Sequence, residues 1–227
     1  MFCKLPLYNY ILFFLVSSGL YQTAVAQNLN KREWEKSEVV LTNGDTLTGT
    51  LSYYYKKEII QVKITNGITK TFSPVNVAYF RVFNAQKQVF QTFRPFMWSP
   101  IPDDLAFKTP AFFEVIMQGK YTLIKRAAYV IRNSDPLPLY TAWGRYYESC
   151  PVEESTSITN FNQVALLNFY YVLTPENQII SLRHPKKNLE ELYQDKGRKM
   201  NAYIKGNKLS YNNPVALSHM VHYFNRL

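Results

Sequence analysis

The chain has 227 residues, of which 47% are hydrophobic, 16% aromatic and 19% charged. This composition is typical of an ordered globular protein and excludes a disordered, collagen-like or coiled-coil chain. Lys and Arg total 26 against 16 Asp and Glu, which gives a net charge of +10 at pH 7. The surface should therefore attract anions, although the sign of the charge does not identify them.

The first residues carry the pattern of an export signal. Lys4 provides a positive start, residues 5–20 are mostly apolar, and residues 24–26 (Ala-Val-Ala) form a small-x-small cleavage site. The alternative is an uncleaved membrane anchor, for which the apolar run is short beside the ~20 residues that span a bilayer. We therefore expect a signal peptide at 1–26 and an exported mature chain, either periplasmic or on the cell surface.

Cysteine usage limits how the mature chain can be stabilised. Cys3 lies within the expected signal peptide, which leaves Cys150 as the mature thiol. One thiol cannot form an internal disulfide, so the fold must depend on packing. Cys150 is expected to be either a buried small hydrophobic residue or a site of pairing with a second chain.

Residues 37–132 show the alternation and the turn signals of antiparallel strands. Asn43-Gly44 and Asn66-Gly67 each follow an apolar run and favour type I′ hairpin turns. The proline-containing segment 94–109 is expected to be a loop, because proline has no N–H to donate to a ladder. Further strands are predicted at residues 78–83, 87–93, 112–118 and 121–132.

The pattern changes after residue 132. Residues 133–160 have poor periodicity and three prolines, which indicates an irregular connection. A hairpin is predicted at 169–182, and the period then becomes helical near 188–193 and 198–204. Asn213-Pro214 is typical of a helix start, with Asn as N-cap and Pro at the first helical position.

Together these patterns predict the α+β class. We expect an antiparallel β-rich body of meanders and hairpins, barrel- or sandwich-like, at 27–132. The irregular connection at 133–160 follows, and residues 161–227 should form a β-hairpin and a helical C-terminal region.

Residue types that commonly carry catalysis are scarce in this sequence. His219 and His222 are three residues apart on the last predicted helix, but no carboxylate-bearing metal motif surrounds them. Asp103 and Asp104 are adjacent, and adjacent side chains of an extended loop point in opposite directions. The two acids could therefore share a site only in a special turn. No glycine-rich phosphate-binding motif occurs in the sequence either. Since the histidines also lack a metal motif, we expect no cofactor and no metal site.

Two sets of side chains are candidates for binding a partner. Aromatic residues in the irregular stretches could stack on sugars or anchor a protein, or they could close the ends of the β core. The basic C-terminal residues could bind anions, or they could form a solvated helical face. The candidate residues are Phe96, Trp98, Trp143, Tyr146, Tyr147, Arg183, Lys186, Lys187, Arg198 and Lys199.

Several segments carry a resemblance to a known group of proteins. They are LTNGDTLTGTL, FSPVNVAYFRV, FFEVIMQGKYTLIKR, NFYYVLTPENQIISLRHPKKNLEELYQDKGRKMNAYIKGNKLSY and the closing HYFNRL. With its export signal, the chain resembles uncharacterised exported proteins common in Bacteroidetes, over nearly the whole mature length. The resemblance implies a periplasmic or cell-surface location and no established activity or catalytic residues.

Three functions are compatible with the sequence. The first is a non-enzymatic exported module that binds an envelope partner, which could be a protein, a glycan or an anionic surface. Exported proteins rarely meet nucleic acid, so we expect no nucleic-acid partner. The second is a hydrolase of envelope glycans or lipids with Asp103, Asp104 or Glu114 as its acids. The third is a structural or assembly factor, which predicts a large exposed apolar patch.

Overall fold

The computed structural model describes residues 31–99, 108–132, 139–141, 144–146 and 163–227. The expected signal peptide at 1–26 and residues Asp103, Asp104 and Cys150 lie outside this part of the chain. The strands are β1 (Lys31–Leu41), β2 (Thr46–Tyr54), β3 (Ile59–Lys63), β4 (Thr69–Phe72), β5 (Val77–Asn84), β6 (Val89–Trp98), β7 (Thr109–Met117), β8 (Thr122–Arg132), β9 (Leu139–Thr141), β10 (Gly144–Tyr146), β11 (Gln163–Leu173) and β12 (Ile179–Ser181).

Three helices follow the strands, namely α1 (Pro185–Tyr193), α2 (Gly197–Gly206) and α3 (Pro214–Phe224). Short 3₁₀ turns occur at Pro74–Asn76 and Gln194–Lys196. The antiparallel sheet with its C-terminal helices confirms the predicted α+β class. In the described ranges, no helix combines the length and the apolarity that crossing a membrane requires.

All twelve described strands belong to one sheet. Its order is β10-β9-β8-β7-β6-β5-β1-β2-β3-β4, and β11 pairs with the other edge of β8 and carries β12. The β8–β11 ladder runs from Thr122 opposite Leu173 to Arg132 opposite Gln163. This long ladder joins the C-terminal hairpin and helices to the N-terminal strands, and the described residues from Arg32 to Leu227 belong to one compact unit.

The two Asn-Gly hairpins form where the sequence places them, but with a different turn type. Gly44 (φ +94°) and Gly67 (φ +82°) are left-handed, whereas Asn43 and Asn66 are not among the residues with positive φ. The Gly44 N–H donates to the Leu41 carbonyl oxygen at 3.0 Å, as in a type I turn followed by a left-handed glycine. The predicted type I′ geometry is therefore wrong, because it needs positive φ at both central residues.

Strand β6 continues through Pro95 to Trp98 and β7 begins at Thr109, so the predicted loop at 94–109 is wrong for residues 94–98 and 109. Pro95 faces Phe112 of β7. On its other edge β6 pairs with β5 only as far as Phe93, which faces Phe80. The missing N–H of Pro95 therefore interrupts no ladder. Strands β9 and β10 also place regular structure within the stretch predicted to be irregular.

Buried side chains form three clusters, separated by the alternation of side chains across the sheet. Phe112 belongs to a strand core formed by β1–β7, with Phe80 and Tyr53 among its fully buried rings. Phe113, the next residue, belongs to a core on the other face with Trp98. The third cluster packs the helices onto β8 and β11.

Helix α3 confirms the predicted cap. The Asn213 side chain accepts hydrogen bonds from the N–H groups of Val215 (2.8 Å) and Ala216 (3.3 Å), and Pro214 occupies the first helical position. Its apolar face is buried through Leu217, Met220, Val221 and Phe224. Helix α1 begins at Pro185, three residues before the predicted start, so Glu190 and Glu191 lie beyond its first turn.

Candidate functional site

Strands β7 and β8 separate beyond the pair formed by Glu114 and Lys125. Farther along, β8 pairs with β9 at Val130 and Ile131. Between these two stretches, the N–H of Phe112 donates to Glu58 Oε2 at 3.1 Å. At this split in the sheet, the Glu58 carboxylate therefore accepts the hydrogen bond that a carbonyl oxygen of the neighbouring strand would accept in a continuous ladder.

Glu58 reaches the split from the turn between β2 and β3, where its backbone is left-handed (φ +50°). The Tyr53 hydroxyl donates to its Oε2 at 2.9 Å, and Arg126 Nη2 donates to its Oε1. The Arg126 guanidinium carbon lies 4.4 Å from the centre of the Trp98 ring. The carboxylate is thus held from the strand core by Tyr53 and from the opposite face by Arg126.

Burial and the Glu58 charge act in opposite directions on the pKa of Arg126 and in the same direction on that of Tyr53. Burial lowers the pKa of Arg126, but the Glu58 carboxylate raises it, and the net pKa lies above the ordinary value. Burial and the Glu58 charge raise the pKa of Tyr53 well above its ordinary value. Arg126 therefore stays cationic and Tyr53 stays protonated near neutral pH, which suits a fixed structural ion pair rather than proton transfer.

A second buried polar row crosses β5 to β8 on the face of the strand core. Asn84 donates to Gln91 at 3.2 Å, and Gln91 donates to Glu114 Oε1 at 2.8 Å. Lys125 Nζ lies 2.8 Å from Glu114 Oε2. Glu114, one of the acids of the hydrolase hypothesis, is therefore buried and neutralised by a lysine, while Asp103 and Asp104 lie outside the described residues.

The outer face of β1, β5 and β6 combines cations with aromatic rings. Lys36 Nζ lies 5.9 Å from the centre of the Phe83 ring and 5.8 Å from that of Phe90. The Arg81 guanidinium lies 5.0 Å from the Phe90 ring centre, and that of Arg94 lies 5.8 Å from the ring of Tyr79. We call this set the cation–aromatic face; its members are Lys36, Tyr79, Arg81, Phe83, Phe90 and Arg94.

Local sequence builds this face. In β5, Tyr79, Arg81 and Phe83 occupy alternate positions and so share one side of the strand. Arg81 faces Glu38 of β1 and Thr92 of β6 across the two ladders. The Glu38 carboxylate lies 3.8 Å from the Arg81 guanidinium. Sequence reasoning missed these residues, although the alternation in residues 79–83 was a signal that could have identified them.

The aromatic candidates from the sequence fall in different environments. Trp98 is 8% exposed and contacts Phe113 and Tyr171 in the core, so its ring is packed inside rather than presented on a loop. Phe96 is half-buried next to Phe113. Tyr146 lies in β10, and its side chain is not among the described ones. Trp143 and Tyr147 lie outside the described residues.

The basic candidates lie on and near the first two helices. Lys186, Lys187, Arg198 and Lys199 are exposed, whereas Arg183 is half-buried. Lys187 Nζ lies 3.9 Å from Glu191 Oε1, one helical turn away, in an exposed ion pair. Both α1 and α2 therefore carry exposed cations.

The histidines are exposed at positions 184, 219 and 222. Among the described side chains, no three or more His, Cys, Asp or Glu residues are arranged to hold a metal ion.

The fold and these surfaces define an α+β protein with cationic exposed surfaces on its sheet and on its helices. No family model matches the sequence, no curated protein matches it, and no solved structure matches the fold. The resemblance to exported Bacteroidetes proteins therefore stays a prediction.

Proposed function

We propose that this chain is an exported, non-catalytic module that binds an anionic polymer of the cell envelope through the cation–aromatic face. The observation that carries the proposal is the position of Lys36, Arg81 and Arg94, on three neighbouring strands, at 5.8, 5.0 and 5.8 Å from aromatic ring centres. Export and the envelope location rest on the signal-peptide pattern of residues 1–26, and the net charge of +10 supports an anionic ligand.

The rings reduce the entropic cost of binding. A cation over an exposed aromatic ring is stabilised by roughly 0.5–1 kcal/mol. Side chains that are already oriented lose less conformational freedom when a ligand arrives. Guanidinium groups also present parallel N–H donors, which match carboxylate, phosphate and sulfate groups. Arg94 is exposed, while Glu38 offsets part of the charge of Arg81. Cations oriented in this way favour binding of an anion at a defined place, whereas mobile surface charges attract it only diffusely.

The arrangement supports a polymer better than a lipid surface. Phe90 is exposed on this face, at 44%. However, Lys36 and Arg81 both lie over the Phe90 ring, so a cation rather than the bare ring meets an approaching ligand. Neighbouring strands are ~4.8 Å apart, so the three cation-bearing strands span a width of about 10 Å. A chain with repeating acidic groups can contact them together.

Two variants of equal charge test the location of the site. Arg81→Gln with Arg94→Gln removes two charges from the cation–aromatic face, and Arg198→Gln with Lys199→Gln removes two from the helices. We expect the first variant to lose at least tenfold in affinity for immobilised alginate, a carboxylate polysaccharide, and the second to change less than twofold. An equal loss in both would show non-specific charge attraction and contradict the proposal.

The choice of partner has its own test. The purified chain should bind alginate and leave vesicles of phosphatidylcholine containing phosphatidylglycerol unbound at the same salt concentration. Binding to the vesicles without binding to alginate would identify a lipid surface as the partner and overturn the polymer proposal.

Export is tested by recovering the chain from its native cells. The mature N-terminus is expected at Gln27, in the periplasmic or cell-surface fraction. A full-length chain in the cytosol would contradict the envelope role.

A further inference from the structure

A polar depression of about 320 Å³ lies between α1 and the turn that joins β11 to β12. We call it the α1 pocket. Its volume is at the lower end of the roughly 300–1,000 Å³ found for small-molecule sites. The side chains that bear on ligand choice are Glu176, Gln178, Asn188, Glu191 and Gln194.

Amide groups dominate the hydrogen-bonding capacity of the α1 pocket. The Asn188 Oδ1 atom accepts the N–H of His184 at 2.9 Å, which directs its amide and leaves the NH₂ group as a donor. Within the described part of the chain, the side chains of Gln178 and Gln194 make no hydrogen bond. An amide both donates and accepts, as a hydroxyl does, so these groups suit a ligand with several hydroxyl groups.

The lining of the α1 pocket carries two carboxylates, and nearby lysines offset part of their charge. Glu176 is kept ionised because a hydrogen bond from Thr174 lowers the pKa of its carboxyl, with a smaller contribution from Lys120. Glu191 lies 3.9 Å from Lys187. Two carboxylates repel an anionic ligand, and the two lysines offset the attraction for a cation. The charges therefore disfavour an anionic ligand and leave a cationic one with little net attraction.

The pocket also offers apolar contact. Ile180 and Leu192 line it beside the polar groups, and both are half-buried. A sugar ring carries C–H groups on its faces and hydroxyl groups around its edge, so it can contact both kinds of surface at once. A carboxylate with two acceptor oxygens can accept from two adjacent hydroxyls of such a ring.

We propose that the α1 pocket is a binding site for an uncharged sugar of one or two rings. This site is separate from the cation–aromatic face and takes a ligand of different charge. The two proposals can therefore fail independently.

The test uses the ¹⁵N-labelled chain and two-dimensional NMR. The probes are glucose, galactose, cellobiose and N,N′-diacetylchitobiose, with galacturonate as the anionic counterpart of galactose. We expect at least one neutral probe to shift the side-chain NH₂ signals of Gln178 and Gln194 saturably, with a dissociation constant of about 1 mM or lower. Galacturonate should bind more weakly than galactose.

Matched variants locate the binding. Gln178→Ala should weaken the best neutral probe by about five- to tenfold, which corresponds to the loss of one hydrogen bond. Glu176→Gln gives a second variant with nearly unchanged shape, and it should also weaken binding. Gln86→Ala, an exposed glutamine in the β5–β6 turn, should leave the affinity unchanged. The proposal is overturned if no neutral probe binds, if galacturonate binds more tightly than galactose, or if Gln178→Ala and Glu176→Gln bind as the parent does.

Discussion

Glu58 and Arg126 form an ion pair across a split in the sheet, although 68 positions separate them in the sequence. Their side chains are 22% and 7% exposed. The same carboxylate accepts the backbone N–H of Phe112, which would otherwise face the split without a ladder partner. The pair therefore joins the β2–β3 turn, β7 and β8, and it connects the strand core with the core around Trp98.

We predict that Glu58→Gln destabilises the fold. Neutralising the carboxylate leaves the Arg126 guanidinium buried without its counter-charge, and breaking one partner of such a pair typically costs 3–5 kcal/mol. Because Glu58 is partly exposed, we expect a loss of roughly 2–4 kcal/mol in the free energy of unfolding, measured by urea denaturation.

An exposed ion pair provides the control for this prediction. Glu191→Gln removes the partner of Lys187, whose side chain is 74% exposed. Surface pairs contribute little, so the free energy of unfolding should change by less than about 0.5 kcal/mol. Equal effects of Glu58→Gln and Glu191→Gln would show that the buried pair has no special role.

We predict opposite results for one substitution at two buried tyrosines. The Tyr53 hydroxyl donates to Glu58, so Tyr53→Phe should cost about 1.5–3 kcal/mol, as for a hydrogen bond to a charged group. The Tyr193 hydroxyl is buried without a hydrogen-bond partner in the described structure. Tyr193→Phe removes that unsatisfied group and should stabilise the fold by about 1 kcal/mol. Urea midpoints at pH 7 measure both, and a loss of stability in Tyr193→Phe would contradict the assignment.

The same tyrosines predict how stability depends on pH. Burial raises the pKa of Tyr193, and burial with the Glu58 charge raises that of Tyr53. Above the ordinary tyrosine pKa of about 10, the unfolded chain releases these protons while the folded chain keeps them. Stability is therefore fully present below about pH 10 and falls as the pH rises further. Tyr193→Phe should reduce this alkaline slope by up to about 1.4 kcal/mol per pH unit; an unchanged slope would count against the raised pKa.

We predict that Gly49→Ala disrupts the β2–β3 pairing. Gly49 has φ +156°, and a Cβ atom there would overlap the carbonyl oxygen of Lys63. The obstacle is backbone rather than a flexible side chain, so relief requires the strands to move apart. We expect a loss of more than about 2 kcal/mol in the free energy of unfolding.

Gly206→Ala is the matched control for Gly49→Ala. Apart from its chain neighbours and the adjacent backbone of its own helix, no atom lies within 4 Å of a Cβ built at Gly206, which ends α2. Its effect should be neutral or stabilising by about 0.4–1 kcal/mol. If both alanine variants unfold at the same urea concentration, the close approach at Gly49 is not a constraint on the fold.

Much of the fold could be predicted because its signals are local. Asn43-Gly44 and Asn66-Gly67 mark hairpins through the conformational freedom of glycine, and Asn213-Pro214 marks a helix start through side-chain capping. Each signal involves residues that are adjacent in the sequence. The structure confirms the positions of those hairpins and of the last helix.

Other features depend on contacts that no local pattern contains. Pro95 is tolerated in β6 because β5 no longer pairs beside it, which depends on where a neighbouring strand ends. Trp98 is buried beneath Arg126, a residue of another strand. The candidate face was missed in part for the same reason. The alternation of residues 79–83 indicates the share of one strand, but Lys36 and Arg94 join it only after β1, β5 and β6 pair.

The salt dependence of alginate binding tests the proposed function most directly. Isothermal titration of the parent chain and of Arg81→Gln with Arg94→Gln, at 50 and 150 mM NaCl, compares their dissociation constants. We predict that the parent binds at least tenfold more tightly at 50 mM and loses affinity several-fold at 150 mM, since salt screens exposed charges. The variant should show both a weaker affinity and a smaller salt effect. Equal affinities and equal salt effects in the two proteins would contradict a polymer site on the cation–aromatic face.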